Sequence, residues 1–224
     1  MSYRGYTREQ IASYIDHTVL KPAASAEDIH SAVEVAIESK VAAVCFRPSD
    51  MVLAKSLLGD SSVGLATVVG FPHGTNESYV KAFETSLAVS QGANEIDMVI
   101  HIGHLIEGRD DLVLADIKAV VEAADGALVK VILETSELND DQIVRACGLS
   151  RDAGAGYVKT STGFASGGAT VHAVSLMAKT VPGLGVKASG GIRTLDQLID
   201  MVEAGATRVG ASGTLAILAE FDSK

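Results

Sequence analysis

The chain has 224 residues, of which 47% are hydrophobic, and a formal net charge of −10 at pH 7. Its hydrophobic content is sufficient for a substantial core and excludes a disordered chain, and its acidic balance excludes broad electrostatic attraction to nucleic acid or anionic membranes. Two cysteines are too few for a disulfide framework, while the polar start and the lack of an apolar run of roughly 20 residues favour a cytoplasmic protein.

The chain opens on a predicted strand over 12–20, which Pro22 closes because the residue before a proline disfavours helix. A helix then begins near Ser25, whose hydroxyl precedes two acids as in a capped N-terminus, and it runs through Ser39 with one apolar stripe. The same alternation recurs to the end of the chain. Further strands are predicted over 41–46, 63–70, 95–100, 128–133, 157–160, 185–188 and 207–210. Further helices are predicted over 48–58, 76–91, 105–124, 140–153, 171–179, 195–204 and 215–221.

The predicted strands are short and almost entirely apolar, which is typical of parallel sheets covered by helices on both faces. Eight strand-helix units, spaced roughly 20 to 35 residues apart without a linker, predict a single (β/α)8 TIM barrel over residues 1–224. An open doubly wound sheet is the alternative, since counting units does not prove closure. Such a sheet usually carries a Gly-x-Gly-x-x-Gly turn after its first strand, and His17–Pro22 stands there instead.

Few polar residues fall in or directly after the strands, where the chemistry of a barrel enzyme is located. They are Asp16 at the end of the first strand, Cys45 and Arg47 after the second, Asp97 inside the fourth, Glu134 after the fifth, and Lys159 and Lys187 in the sixth and seventh. Asp97 stands between two apolar residues and is expected to be buried. Because burying an unpaired carboxylate costs several kcal/mol by order of magnitude, Asp97 needs a cationic partner.

Lys159 and Lys187 occupy equivalent positions on neighbouring predicted strands, which lie about 4.8 Å apart in a sheet. Two ammonium groups so placed oppose each other's protonation. Like charge and desolvation both lower a lysine pKa, and a free amine is the nucleophile that forms a Schiff base. The alternative is a structural ion pair between Asp97 and the same lysines, with Lys130 as another partner if its side chain points inward.

Glycine-rich turns follow the sixth, seventh and eighth strands, beside both lysines. They contain Gly163, then Gly190 and Gly191, then Gly210 with Ser212. Backbone N–H groups of such turns bind phosphate in barrel enzymes, although a single glycine also marks an ordinary turn. Their common position predicts a phosphate site. Arg193 either faces this phosphate or lies in the first turn of the next helix.

Cys45 and Thr160 are candidates for the wall of a substrate pocket at the barrel mouth, although a reduced thiol is more often a packed residue than a nucleophile. His101 and His104 are three residues apart, but no clear group of carboxylates and histidines with metal-ligand spacing accompanies them. The sequence therefore predicts no metal site.

Five motifs, taken in order over nearly the whole chain, closely resemble the 2-deoxyribose-5-phosphate aldolase family. The set is specific, although no single motif is. The motifs are Tyr14-Ile15-Asp16-His17-Thr18, Glu95-Ile96-Asp97-Met98-Val99, Val158-Lys159-Thr160-Ser161-Thr162-Gly163, Lys187-Ala188-Ser189-Gly190-Gly191-Ile192-Arg193 and Gly210-Ala211-Ser212.

The resemblance implies a class I aldolase without metal or cofactor, which reversibly splits 2-deoxy-D-ribose 5-phosphate into D-glyceraldehyde 3-phosphate and acetaldehyde. By motif, Lys159 looks like the Schiff-base lysine, Lys187 like the amine that perturbs its pKa, and Asp97 like the proton-transfer carboxylate, with Asp16 extending the polar relay. The glycine turns and Ser212 resemble the phosphate-binding edge of the family.

Two positions depart from the family pattern. His101 stands where asparagine is usual, and it is expected to alter the surroundings of Asp97. Gly213 stands where a second serine is common, so one hydroxyl of the phosphate site is missing. Neither departure removes the two lysines or the aspartate.

Two other functions stay open from the sequence. One is another phosphosugar barrel enzyme, such as a transaldolase-like lyase or an isomerase, and the other is a catalytically silent barrel that binds sugar phosphates. The expected partners are small phosphosugars and aldehydes, with neither nucleic acid nor membrane. A homo-oligomer, dimer or tetramer, is an open alternative to a monomer because the sequence identifies no contact face.

Overall fold

The computed structural model describes residues 2–224, and within that range eight parallel strands close into one barrel in chain order. The strands are β1 (Ile15–Val19), β2 (Ala43–Phe46), β3 (Gly64–Val69), β4 (Glu95–Val99), β5 (Leu128–Ile132), β6 (Tyr157–Lys159), β7 (Gly185–Ser189) and β8 (Arg208–Ala211). The ring closes where β8 pairs with β1, with Ile15 opposite Val209. This closure confirms the predicted (β/α)8 barrel and excludes the open doubly wound sheet.

Helices alternate with the strands and cover the outside of the barrel. They are α1 (Arg8–Tyr14), α2 (Ala26–Ser39), α3 (Met51–Leu58), α4 (Ser78–Ser90), α5 (Ile102–Ile106), α6 (Asp110–Ala123), α7 (Asp140–Asp152), α8 (Val171–Thr180), α9 (Leu195–Glu203) and α10 (Thr214–Asp222). None of the helices in residues 2–224 has the length and apolar character needed to cross a bilayer.

Side chains at the helix N-termini fix where several helices begin. Ser25 accepts a hydrogen bond from the backbone N–H of Asp28, and the Asp28 carboxylate accepts from the Ser25 N–H at 2.6 Å. This is the capped start predicted for α2. Thr7, Asn139 and Thr194 make the same reciprocal arrangement at α1, α7 and α9. Each cap satisfies backbone donors that the first helical turn leaves free.

The first strand is shorter than the sequence predicted. Residues Arg8–Tyr14 form α1, capped by Thr7, and β1 begins only at Ile15. The prediction of a strand from residue 12 was wrong because the apolar run continues from the buried face of the helix into the strand, so composition does not mark the boundary. Asp16 is therefore the second residue of β1, not its last, and its side chain lies deep in the barrel.

The single helix predicted over 105–124 is also wrong, because two helices follow β4. Helix α5 ends at Ile106, and Gly108 then adopts a φ of +76°, a left-handed conformation outside the helical range. Helix α6 starts two residues later at Asp110. The apolar spacing continues across the break, so a prediction from periodicity alone treats the two helices as one.

The barrel interior contains a small apolar cluster and a group of buried charges. Residues Leu20, Cys45, Ala66 and Val68, in or directly after β1 to β3, form the apolar cluster. The buried charges come from β1 and from β4 to β7. These are Asp16, Glu95, Asp97, Lys130, Lys159 and Lys187, each at most 7% exposed. The larger apolar core lies between the strands and the surrounding helices.

Candidate active site

Asp97 lies at the centre of the buried charges and contacts three lysines. Lys159 and Lys187 are opposite each other in register on β6 and β7, and their Nζ atoms donate to the same Asp97 oxygen, Oδ2, at 2.7 and 2.8 Å. Lys130 donates to the other oxygen, Oδ1, at 2.9 Å. The structure thus brings together three of the four residues predicted for catalysis, and it shows that Lys130 points inward as a third partner of Asp97.

A second layer of ion pairs continues toward the amino-terminal end of the barrel. Asp16 Oδ2 lies 2.5 Å from Lys187 Nζ, and Arg208 Nη1 donates to Asp16 Oδ1 at 2.5 Å. Glu95 accepts from Arg208 at 3.0 Å and from Lys130 at 2.5 Å. Asp16 therefore links the lysine layer to an arginine below it, and every carboxylate of the cluster has at least two cationic neighbours.

The charges of this cluster do not balance when every group is ionised. Four basic side chains face three carboxylates, so the cluster carries one excess positive charge. The basic groups are Lys130, Lys159, Lys187 and Arg208, and the acidic groups are Asp16, Glu95 and Asp97. A buried site with unpaired charge lowers its free energy when one lysine loses its proton.

The surroundings of Lys159 and Lys187 shift their pKa values in opposite directions, and this decides which lysine loses its proton. Burial lowers the pKa of Lys159, and the Lys187 charge adds to this effect, so the attraction of Asp97 does not restore the ordinary value. Burial acts on Lys187 in the same direction, but Asp16 and Asp97 together outweigh it and raise the Lys187 pKa. Lys187 is thus held as the ammonium, and Lys159 is the amine of the pair that deprotonates more easily.

Asp97 stays ionised in this environment. Burial by itself would raise its pKa, but the charges of Lys130, Lys159 and Lys187 outweigh burial and hold the pKa well below its ordinary range. Cys45 behaves in the opposite way, because burial raises the pKa of its thiol to about 11. The site therefore combines an ionised carboxylate, an amine whose pKa is lowered, and a neutral thiol.

Sequence reasoning missed Glu95 and Arg208 as members of the cluster. Both are charged residues at the first position of a short strand, and Asp97 is the only other charged residue in these two strands. The signal was present, since Glu95 stands two residues before Asp97 and two-residue spacing places both side chains on the same face of a strand. Arg208 gave a weaker signal, because the first residue of a strand often extends into solvent.

The hydroxyl run after β6 is fixed by side-chain hydrogen bonds. Thr160 Oγ1 donates to the backbone oxygen of Ser189 and accepts from the Ser189 N–H, both at 3.0 Å, and so joins the ends of β6 and β7. The Thr160 hydroxyl is therefore bonded to the backbone of Ser189 on both its donor and its acceptor side. Glu134 Oε2 accepts from the hydroxyl of Thr162 at 2.5 Å and from its N–H at 3.2 Å.

The glycine turns after β6 and β7 meet directly. Gly163, Gly190 and Gly191 have φ angles of +84°, +89° and +81°, which glycine adopts without strain. A Cβ on Gly190 would lie 3.0 Å from Gly168 Cα and 3.7 Å from Gly163 Cα, so the two loops touch at their backbones. The Ala169 N–H donates to the Gly190 oxygen at 3.1 Å and closes this contact.

The remaining predicted phosphate residues differ in position. Gly210 was predicted in a turn, but it is the third residue of β8, where it is packed against Ser189, since a Cβ there would lie 2.5 Å from Ser189 Oγ. Ser212 follows β8 and is exposed. Arg193 is exposed as well, in the loop directly before the Thr194 cap of α9, and so lies outside the first turn of that helix.

Cys45 belongs to the apolar side of the barrel mouth. A cavity of about 380 Å³ opens there, lined among others by Leu20, Val68, Phe71 and Phe164. The rings of Phe71 and Phe164 meet edge to face with centroids 5.3 Å apart. The wall of this cavity is mostly apolar, and the lysines of the ion cluster are not part of it.

Arg47 fixes the loop beside this cavity. Its guanidinium donates to the backbone oxygens of Lys21 and Pro22 at 3.1 and 2.8 Å and to that of Ala24 at 2.9 Å. It also pairs with the carboxylate of Asp50 at 2.6 Å. The guanidinium is thus used to hold the β1–α2 loop.

His101 is directed away from Asp97. Its ring stacks on that of His104 with centroids 3.6 Å apart, and its Nδ1 accepts from the His104 N–H at 3.2 Å. Burial lowers the pKa of His101, and the charged residues that influence it are Lys81 and Asp116, behind β4. Across residues 2–224, no three His, Cys, Asp or Glu side chains form a group that could hold a metal ion.

Comparison with known proteins gives consistent matches over this whole architecture. The model of the DeoC/LacD family aldolases matches residues 10–223. The deoxyribose-phosphate aldolase of Streptococcus suis strain 98HAH33 is 54% identical over 210 residues, which cover 93% of this chain and 96% of the relative. The deoxyribose-phosphate aldolase of Bacillus mycoides strain KBAB4 is 52% identical, with 93% and 94% covered.

Solved structures agree with these sequence matches. A putative deoxyribose-phosphate aldolase from Coccidioides immitis is 43% identical, with a TM-score of 0.95 over 98% of this chain and 88% of that one. The deoxyribose phosphate aldolase from Aeropyrum pernix, described as a tetramer of unique structure, is 35% identical, with a TM-score of 0.92 over 97% and 93% of the two chains.

Proposed function

Since the chain belongs to the DeoC/LacD family of aldolases, we propose that it cleaves 2-deoxy-D-ribose 5-phosphate reversibly to D-glyceraldehyde 3-phosphate and acetaldehyde. The matched relatives are named deoxyribose-phosphate aldolase, which gives the substrate. The observation that carries the chemistry is the pair of opposed lysine pKa shifts around one carboxylate. Lys159 has a lowered pKa, whereas Lys187, opposite it in register, has a raised one.

The reaction begins with the free amine of Lys159, which attacks the C1 carbonyl carbon of the open-chain sugar. Loss of water from the adduct leaves a protonated imine that accepts electrons. The bond between C2 and C3 then breaks, its electron pair forms the enamine, and the C3 hydroxyl gives up its proton as it becomes the aldehyde of glyceraldehyde 3-phosphate. Covalent attachment replaces an unstabilised carbanion by a neutral enamine.

Asp97 accepts and donates the protons that move in these steps. Its Oδ2 lies 2.7 Å from Lys159 Nζ, within reach of the reacting atoms. Because its pKa is held well below the ordinary range, it passes a proton on to the next acceptor instead of keeping it. Proton delivery to C2 of the enamine through Asp97 and a water gives the acetaldehyde imine, and hydrolysis of that imine restores Lys159.

The substrate phosphate binds at the glycine turns in this proposal. Gly163 and Gly190 lie side by side where the loops after β6 and β7 meet, and Gly191 and Ser212 are exposed at the same end of the barrel. Backbone N–H groups in such turns bind an anion without a cationic side chain. Local capture of this kind suits a chain whose net charge is −10.

Borohydride trapping tests the reaction class and the residue together. The protein is reduced in the presence of 2-deoxyribose 5-phosphate, digested and mapped by mass spectrometry. We expect one two-carbon adduct on Lys159, absent from the Lys159→Leu variant, and release of acetaldehyde without borohydride. An adduct on Lys187, or a folded protein without any adduct, would contradict the proposal. Product analysis separates the alternatives, since an isomerase releases no acetaldehyde and a silent binder gives no turnover.

We also propose that copies of this chain associate through the outer face of α4. Tyr79, Phe83 and Leu87 recur there at four-residue spacing and are 76%, 69% and 47% exposed. The two charged residues of α4 point away from this face, because Lys81 is buried and Glu84 accepts from the Gly70 N–H at 2.9 Å. An uncharged apolar face suits contact with a second copy of an acidic chain. The cytoplasmic location stays a prediction from the sequence.

A further inference from the structure

Two loops from different sides of the barrel meet through a pair of aromatic rings. Phe71 follows β3 and Phe164 follows β6, three strands further round the ring. Their rings lie edge to face with centroids 5.3 Å apart, which is a favourable geometry for two aromatic side chains. Both residues come after the carboxyl ends of their strands, so this contact spans the mouth of the barrel.

Phe164 is attached directly to a turn that the proposed function assigns to phosphate. Gly163 precedes it with a φ of +84°, and the Phe164 N–H donates to Thr162 Oγ1 at 3.0 Å. The backbone of the turn is thus bonded to the residues that follow β6. The Phe164 side chain is 47% exposed, and the aromatic ring that it packs against is Phe71. Phe71 therefore supports the solvent-facing end of the turn.

Phe71 is placed by a tight turn that begins at Gly70. The Gly74 N–H donates to the Gly70 oxygen at 2.7 Å, so residues 70–74 form one compact unit. Gly70 has a φ of +61°, and a Cβ on it would lie 2.8 Å from Lys81 Cε. Gly70 therefore lies directly against α4, and no side chain fits between the two.

Glu84 of α4 fastens this turn to the helix. Its Oε2 accepts a hydrogen bond from the Gly70 N–H at 2.9 Å, and a carboxylate is a stronger acceptor than a neutral group. Its side chain also lines the cavity of about 380 Å³, as do Phe71 and Phe164. One path of contacts and peptide bonds thus runs through Glu84, Gly70, Phe71, Phe164 and Gly163.

We propose that Glu84 is a positioning residue for phosphate binding, an inference that rests on the proposed function. Because it holds Gly70, Glu84 places the Phe71 ring against Phe164. The Gly163 turn is thereby kept in the geometry in which its backbone N–H groups bind the phosphate.

The Glu84 carboxylate bonds to the β3–α4 loop, whereas the ion pairs around Asp97 are made by other side chains. Glu84 therefore acts on the binding of the phosphosugar and leaves the amine of Lys159 unchanged.

The test separates phosphate binding from the lysine chemistry by two measurements. The KM for 2-deoxyribose 5-phosphate includes the binding of the phosphate, whereas reductive trapping of acetaldehyde on Lys159 involves no phosphate. We expect Glu84→Ala to raise this KM by about 10-fold, as the loss of one hydrogen bond to a charged group does. The trapping rate and kcat should stay within about twofold of the wild type. Glu84→Gln keeps an acceptor oxygen and should bring KM back to within about threefold of the wild type.

A second variant tests the aromatic contact without changing a buried group. Phe164→Leu removes the ring at a half-exposed position and should also raise KM. When it is combined with Glu84→Ala, the two effects should give less than their product, because both act through Phe71. Glu34→Ala is the matched control, since it makes the same change at an exposed position of α2 and should leave both measurements unchanged.

The trapping measurement also separates this inference from the proposed function. A wild type that traps no acetaldehyde removes the proposed function itself. With normal trapping in the wild type, an unchanged KM in Glu84→Ala overturns the positioning role. So does a loss of trapping as large as the loss of kcat/KM, which would indicate general damage to the barrel. Fully multiplicative effects in the double variant also overturn it, because they would show that Glu84 and Phe164 act independently.

Discussion

Lys159 and Lys187 have the same side chain and lie opposite each other, yet their pKa values shift in opposite directions. The difference comes from their carboxylate neighbours. Lys187 contacts both Asp16 and Asp97, at 2.5 and 2.8 Å, whereas Lys159 contacts Asp97 alone. One additional carboxylate therefore outweighs desolvation at Lys187, while at Lys159 desolvation prevails. Asp16 thereby affects the nucleophile without touching it.

Removal of the Lys187 charge should raise the pKa of Lys159. In Lys187→Met, the cluster has three basic groups and three carboxylates, so no excess charge favours loss of the Lys159 proton. The amine is free above its pKa, so activity rises as pH increases through that value. We therefore expect the acidic limb of the kcat/KM profile to move to higher pH and activity at pH 7 to fall by about 100-fold.

The control for this measurement is the pH dependence of borohydride trapping in the same variant, which reports the amine and not later steps. It should move with the kcat/KM profile. Far-UV circular dichroism across the pH range establishes that the variant stays folded. An acidic limb at the wild-type position in a folded variant would contradict this account of Lys187.

At the scale of elements, a second buried ion pair joins helices to the barrel behind β4. Lys81 of α4 donates to the Val99 backbone oxygen at 2.9 Å and to Asp116 of α6 at 2.5 Å. Its stem crosses Gly70, where a Cβ would lie 2.8 Å from Lys81 Cε and where φ is +61°. One side chain thus ties the ends of β3 and β4 to two helices. No feature of the sequence indicated this pair, because charged residues on helices usually face solvent.

Lys81→Met should destabilise the fold without altering the chemistry. The substitution leaves Asp116 buried without a cation, and breaking one side of such a pair costs about 3–5 kcal/mol in the free energy of unfolding. The double variant Lys81→Met with Asp116→Asn should recover part of this loss, since it leaves no unpaired charge. Urea denaturation measures both variants. Trapping on Lys159 in each folded protein is the control, and additive losses in the double variant would exclude coupling between the two residues.

At the scale of the whole molecule, closure brings together residues from both ends of the chain. Asp16 and Arg208 are separated by 192 positions and form a 2.5 Å ion pair inside the ring. Helices α1 and α10 also meet at the surface, where Arg8 pairs with Asp222 at 3.1 Å. The candidate active site therefore requires a closed barrel, because Asp16 of β1 acts on Lys187 of β7 across β8.

Assembly is the remaining prediction at this scale. Phe83→Asp places a carboxylate in the centre of the apolar stripe on α4, where a two-fold contact would face it with its own copy and desolvate it. We expect the wild type to be a dimer or tetramer by light scattering and the variant to shift toward monomer by about tenfold or more in dissociation constant. Asp substitution at exposed Val171 of α8 is the matched control. A monomeric wild type at high concentration would contradict the proposal.

The sequence by itself determined the (β/α)8 barrel, seven of its strands to within about two residues, and the inward position of Asp97, Lys159 and Lys187. Strong periodicity and inward charges on apolar strands carry that information, because they reflect burial, which each short segment encodes locally. The sequence did not predict the boundary between α1 and β1 or the break between helices at Gly108, because the apolar spacing continues through both.

Only the tertiary structure decided which charges meet. Nothing local in the chain indicates that Arg208 completes the cluster, that the Thr160 hydroxyl bonds to the Ser189 backbone, or that Asp16 separates the pKa values of two lysines. The physical reason is that Coulomb interaction and desolvation depend on distance and burial, and in this protein both are set by strands that are far apart in sequence and adjacent in the closed ring.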